Sequence, residues 1–146
     1  MKVSLVAQIS IAESQVEVFR YLTDLKYHFL WNPHLQSISS RAVLKLGSSY
    51  KTTSFILGMK FHGTNKVVKL DPLKELELEN KTGALKYNVH YQLHLRSRIT
   101  VVRCKTTVES QKEAFVFTAP VLKMLARHEL QSDLRSLKIA VEQHLR

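Results

Sequence analysis

The sequence is poor in the residues that staple, break or loosen a chain. One cysteine, Cys104, stands among 146 residues, so no intramolecular disulfide can form. With no secretory segment evident at the start, a reducing, cytoplasmic setting is expected. Four glycines and three prolines, without repeats or low-complexity tracts, argue against linkers and disorder. Long apolar runs are missing as well. Lys2 to Ile11 alternates rather than running apolar, so neither a signal peptide nor a membrane span is expected and the chain reads as soluble. Acidic residues are few beside basic ones, 12 against 22, for a net charge of +10. Such a charge attracts nucleic acid, anionic membrane or acidic partners. The basic residues are nonetheless scattered, and base-reading helices, zinc-finger spacings and aromatic RNA-binding signatures are lacking. Sequence-specific nucleic-acid binding is therefore not expected, whereas weak attraction to anionic surfaces is.

What is present is a patterned chain, 45% apolar, long enough for one domain with a normal core over 1–146. Val3, Leu5, Ala7, Ile9 and Ile11 recur at every second position and predict a half-buried strand. Ser14 and Glu17 have capping-box spacing, and Val18, Phe19, Leu22 and Leu25 give the following helix its apolar stripe. Lys26 to Leu35 is aromatic and contains Trp31-Asn32-Pro33, whose proline ends a second short helix. From Ser37 to Glu109 turn residues break the chain at 47–49, 58, 71–72, 81–83 and 96–98, which yields about six antiparallel strands. The clearest runs from Ala84 to Leu95, with Leu85, Tyr87, Val89, Tyr91, Leu93 and Leu95 on one face and Lys86, Asn88, His90, Gln92 and His94 on the other. Before Leu76 the inward register is open to a slip of one residue, which exchanges the faces.

The chain closes on a long helix, about Ala119 to Leu145. Thr118 suits its cap, and Pro120 is tolerated in the first turn because its missing N–H has no intrahelical partner there. Leu130, Leu134, Leu137 and Val141 form one stripe. Val121 and Leu125 fall on nearly the opposite side, with Phe115 and Phe117 just before them. Two readings stand: these residues pack under loops, or they form an exposed apolar lip. Rimmed by Lys112, Lys123 and Arg127, a lip of Phe115, Phe117, Val121 and Leu125 would suit peripheral contact with an anionic membrane.

The order strand, capped helix, aromatic helix, six-strand meander and long final helix resembles the START-related helix-grip superfamily, which includes the polyketide cyclase/dehydrase, lipid-transport and Bet v 1-like proteins. The residues that carry the resemblance are Ser14 to Phe19 leading to Asp24, Trp31-Asn32-Pro33, Val68 to Pro72, and Leu137-Lys138 with Glu142. The resemblance implies an α+β fold, a seven-stranded antiparallel sheet curved around the C-terminal helix, with an apolar cavity between them. It also implies binding, and in places transport, of a hydrophobic small molecule or lipid, with no cofactor. The expected cavity wall comprises Trp31 near the mouth, Phe55 and Phe61, then Leu78, Tyr87, Val89, Tyr91 and Val102, and Leu122, Ala126 and Leu130 from the helix. Tyrosines at period two are equally ordinary core, and both readings stand for Tyr87 and Tyr91.

No catalytic or metal-binding set emerges. His90 and His94 share a strand face but stand about 13 Å apart at about 3.3 Å per residue, too far to share one zinc ion. His28 and His34 flank the Trp31 segment near the expected entrance. Cys104 points inward, where an inert thiol is expected. A cyclase or dehydratase requires polar groups converging in the cavity, and the readable inner face offers tyrosines and threonines but no carboxylate. Binding without catalysis is thus the first expectation. A cyclase/dehydratase-like enzyme is second, and an interaction module with a filled cavity third.

Overall fold

A computed structural model describes residues 2–110 and 118–144. It contains seven strands: β1 (Lys2–Ile11), β2 (Leu35–Ile38), β3 (Ser49–Ile56), β4 (Met59–Asp71), β5 (Glu75–Thr82), β6 (Leu85–Arg96) and β7 (Ile99–Ser110). Helix α1 (Gln15–Thr23) and the single turn α2 (His28–Trp31) lie between β1 and β2, and α3 (Ala119–His144) closes the chain. One antiparallel sheet has the order β1-β7-β6-β5-β4-β3-β2. From β2 onward each strand pairs with the next, as short connections require. The first strand instead crosses to the far edge and pairs with β7, Lys2 opposite Glu109 through Ile11 opposite Thr100. The β3–β4 turn places Leu57 and Gly58 both at positive φ, 49° and 80°, the backbone demanded by a tight two-residue hairpin.

Local chemistry fixes the helices. The Ser14 hydroxyl accepts the Glu17 N–H at 3.3 Å at the start of α1. Asp24 closes α1 with its backbone N–H and accepts the Lys26 N–H at 3.2 Å, opening the 3₁₀ turn Leu25–Tyr27. Thr118 caps α3, its hydroxyl accepting the Val121 N–H at 3.5 Å. The stripe Leu130, Leu134, Leu137 and Val141 is buried with Ile11, Val18, Leu22, Trp31 and Val102 in the main core. A latch holds the far end of α3. Lys138 Nζ donates to the Ser10 carbonyl at 2.7 Å and to Glu142 at 2.8 Å, while Glu142 accepts the Ala12 N–H at 2.9 Å. Three of the residues that carry the family resemblance, Leu137, Lys138 and Glu142, therefore seat the helix against the end of β1.

Several expectations need correction. Leu125 is buried, 4% exposed, and Val121 is half-buried, so neither forms an open lip. Leu122 and Ala126 turn onto Leu85 and Val108 in a second apolar cluster, which gives the start of α3 its own seat on the sheet. Met124 is the exposed apolar side chain of that turn. Phe115 and Phe117 lie outside the described residues. Leu95, assigned to the inner face of β6, is exposed near the strand's end. Among the described residues no helix is long and apolar enough to cross a membrane.

Because Leu137 is fully buried in the stripe and Ile139 is exposed on the same helix, alanine substitution separates seating from propensity. Leu137→Ala should lose about 2–5 kcal/mol of unfolding free energy by urea denaturation, and Ile139→Ala within about 0.5 kcal/mol.

Candidate functional site

Between α3 and strands β3 to β7 the side chains leave a cavity of about 130 Å³. The alternating faces of these strands decide its wall. In β3 the inward residues are Tyr50, Thr52 and Ser54; in β4 they are Phe61, Gly63 and Asn65. Trp31 closes one side, its indole N–H donating to the Tyr21 carbonyl at 2.8 Å and its ring meeting Tyr91 edge-on at 6.1 Å. It is a buried wall, not a residue at an open mouth.

One wall is a chain of polar side chains crossing three strands. The Thr82 hydroxyl donates to Asn80 Oδ1 at 2.6 Å, Asn80 Nδ2 to Asn65 Oδ1 at 2.7 Å, and Asn65 Nδ2 to the Thr52 hydroxyl at 3.0 Å. Both amides thereby use an acceptor and a donor, as buried amides must. Gly63 makes room for them: a Cβ there would lie 2.5 Å from Asn80 Nδ2 and 2.8 Å from Thr82 Oγ1.

The opposite wall carries two carboxyl groups that sequence reasoning missed. Glu129 and Asp133, one turn apart on α3, both border the cavity. Asp133 is 9% exposed and its Oδ1 has no hydrogen-bond partner. Glu129 is half-buried and borders the cavity. Burial pushes the Glu129 carboxyl from its ordinary 4.5 up to about 7. Burial, and secondarily the neighbouring Glu129, holds Asp133 well above the usual carboxylate range. The other titratable groups move away from neutrality. His28, whose Nε2–H donates to the Leu22 carbonyl at 2.9 Å, is lowered by burial to about 4. Burial and the nearby His128 lower His34, burial raises Tyr50, Tyr87 and Tyr91, and it pushes the Cys104 thiol up to about 12. Among the described residues lining the cavity, Glu129 is the carboxyl brought to about 7.

Of the residues assigned to the wall from sequence, Trp31, Phe61, Leu78, Tyr87, Val89, Tyr91, Ala126 and Leu130 surround this cavity. Three do not. Phe55 is 43% exposed on the outer face with Lys60 over its ring at 5.9 Å, because β3 is shifted one residue from the register that pointed it inward. Val102 is fully buried in the core beneath α3, and Leu122 packs in the second apolar cluster. His28 and His34 both reach the cavity. His90, read as solvated, is instead bridged on the outer face to Glu75 at 3.2 Å and lies 3.7 Å from Glu77. Among the described residues no group of three or more metal-ligating side chains is assembled.

No family model matches the chain, and no curated protein does. Solved structures match along nearly its whole length. A START superfamily protein from Mycobacterium smegmatis superposes with a TM-score of 0.80 at 18% identity, covering 96% of this chain and 97% of that one. The Zhui aromatase/cyclase from Streptomyces sp. R1128 gives 0.84 at 12% identity over 100% and 97%. The chain has the helix-grip fold. Ginseng major latex-like protein 151 from Panax ginseng shares it, with a TM-score of 0.72 at 15% identity over 94% of this chain and 96% of that one. In this helix-grip chain the gripped helix contributes the carboxyl pair. A signal for it existed in the sequence: Asp133 falls between Leu130 and Leu137 at i+3 and i−4, within the apolar stripe.

Two outcomes follow. Gly63→Ala should cost about 1–3 kcal/mol in chemical denaturation by forcing Asn80 or Thr82 out of its hydrogen bonds. The carboxyl pair should also set part of the pH dependence of stability. Glu129 titrates at 4.5 when unfolded and at about 7 when folded, so within that window the native state binds more protons. Its stabilising contribution is full below 4.5 and is lost as pH rises through 7. His28, lowered from 6.5 to about 4, has the opposite slope and must be subtracted. Glu129→Gln should therefore gain stability relative to wild type as pH rises from 4.5 to 7, by up to roughly 1 kcal/mol per pH unit, in paired urea titrations.

Proposed function

We propose that the chain, as one ligand-binding domain over 1–146, holds a small hydrophobic molecule between the sheet and α3. The observation that carries this reading is the cavity itself, left open by the described side chains and walled by Trp31, Phe61, Leu78 and Val89. A volume of about 130 Å³ is smaller than the few hundred cubic ångströms usual for ligand pockets. It matches one ring-sized guest, since an apolar cavity of about 150 Å³ accepts benzene. A short or single-ring molecule therefore suits the geometry better than a long-chain lipid or a multi-ring polyketide. Burial at about 25 cal/mol per Å² of apolar surface supplies the driving force, and the Thr52–Asn65–Asn80–Thr82 chain offers polar atoms to orient the guest. The buried free thiol of Cys104 suits a reducing, cytoplasmic setting.

The carboxyl pair favours a second reading, acid–base catalysis of the cyclase or dehydratase kind; the Streptomyces protein of this fold is named an aromatase/cyclase. An acid raised to about 7 can both give and take a proton at neutral pH. In that reading Glu129 is the exchanging group and Asp133 a second proton donor.

Thermal unfolding with a series of single-ring apolar compounds tests the binding reading. A bound compound at about a hundred times its Kd adds about 2.7 kcal/mol, which should raise Tm by several degrees. Val89→Phe, which fills the cavity, should abolish the shift. An unchanged Tm across the series would remove the reading.

A further inference from the structure

We propose that the cavity selects a ligand bearing an ammonium group on a ring-sized apolar body, and that Glu129 and Asp133 receive its charged end. This deepens the binding reading above and rests on it. The two residues occupy positions i and i+4 of α3, where side chains share one face with Cβ atoms about 5–6 Å apart, and both border the cavity. Asp133 is more than nine-tenths buried and brings an oxygen with no hydrogen-bond partner. A buried polar atom left unpaired is costly, and the residue that carries it borders the cavity.

Among the described residues that line the cavity, none carries a basic side chain of lysine or arginine to offset the pair. The titratable groups facing it are His28 and His34 from α2 and the turn after it, Tyr50 from β3, Tyr87 and Tyr91 from β6, and Cys104 from β7. Burial disfavours the charged form of both imidazoles, of the phenols and of the thiol. In this proposal the positive charge comes from the guest. A metal ion is a poor candidate, because no group of three or more ligating side chains forms among the described residues. One ammonium brings three donors to acceptor-only carboxylate oxygens. Against a pair that retains one proton, its charge is matched by one carboxylate. Trp31 and Tyr91, edge to face at 6.1 Å, offer aromatic surface for the apolar body and the adjoining cation. Binding the ammonium displaces a proton from the pair to solvent, so affinity rises with pH.

Calorimetry with benzylamine, and with toluene and benzyl alcohol as uncharged counterparts, tests this at pH 8 and 5.5. The wild type is compared with Asp133→Asn and Glu129→Gln, each checked for folding by circular dichroism. At pH 8 benzylamine should bind at least about tenfold tighter than benzyl alcohol, and the preference should shrink at pH 5.5. Each variant should lose about thirtyfold or more for benzylamine while its affinity for the uncharged compounds changes less than about threefold. Uncharged compounds binding as well as benzylamine, or variants losing all three ligands alike, would overturn the ammonium proposal and leave the binding reading standing. Binding of none of the three overturns both.

Discussion

The seating of one face of α3 is the constraint on which the rest depends. Leu130, Leu134, Leu137 and Val141 bury that face in the main core. Lys138 and Glu142 fix its rotation by bonding to Ser10 and Ala12 at the end of β1. Since a helix repeats every 3.6 residues, this rotation also fixes where Glu129 and Asp133 point. The apolar residues that hold the helix and the acids that line the cavity belong to neighbouring rows of one surface. The acids cannot turn to water without unseating the leucines.

The cavity survives because its walls cannot collapse inward. On the sheet side, Asn65 and Asn80 are tied to each other and to Thr52 and Thr82, so moving either toward the void breaks a bond that has no replacement. Gly63 leaves only enough room for that chain. On the other side Trp31 is held by Tyr21 and stacked edge-on against Tyr91. A space held open by satisfied polar groups and locked aromatics differs from a packing defect, which relaxes at least in part. Into it face two carboxyls whose burial raises both, a costly arrangement for a cavity that serves only stability.

Much of this architecture was legible in the sequence. Period-two alternation located β1, β6 and β7 because each strand has one face on the core and one on water, and Ser14 and Thr118 marked helix starts through their hydroxyls. The site was less legible, for two physical reasons. In β3 the run Thr52-Thr53-Ser54-Phe55-Ile56 contains no clean alternation, so the apolar pair at its end could point either way, and Phe55 was turned inward by one residue. In α3 the acids give little sign of a site, because charged side chains on helices usually face solvent. Asp133, set within the leucine stripe, was the exception that a position-by-position reading would have found. The start of α3 misled for the converse reason: Val121 and Leu125 look misplaced against Leu130 and Leu137 until Leu85 and Val108 supply a second apolar seat for that turn.

The most direct measurement is the ionisation of the pair itself, followed by the side-chain carboxyl ¹³C shifts of Glu129 and Asp133 between pH 3 and 10. Carboxyls buried together beside an unfilled cavity should titrate as a coupled pair, with one apparent midpoint near 7 and the other displaced well above the ordinary aspartate value. Two independent titrations near 4, the behaviour of water-exposed carboxylates, would contradict the account. Glu129 and Asp133 would then face solvent, and the seating of α3 as described here would be wrong.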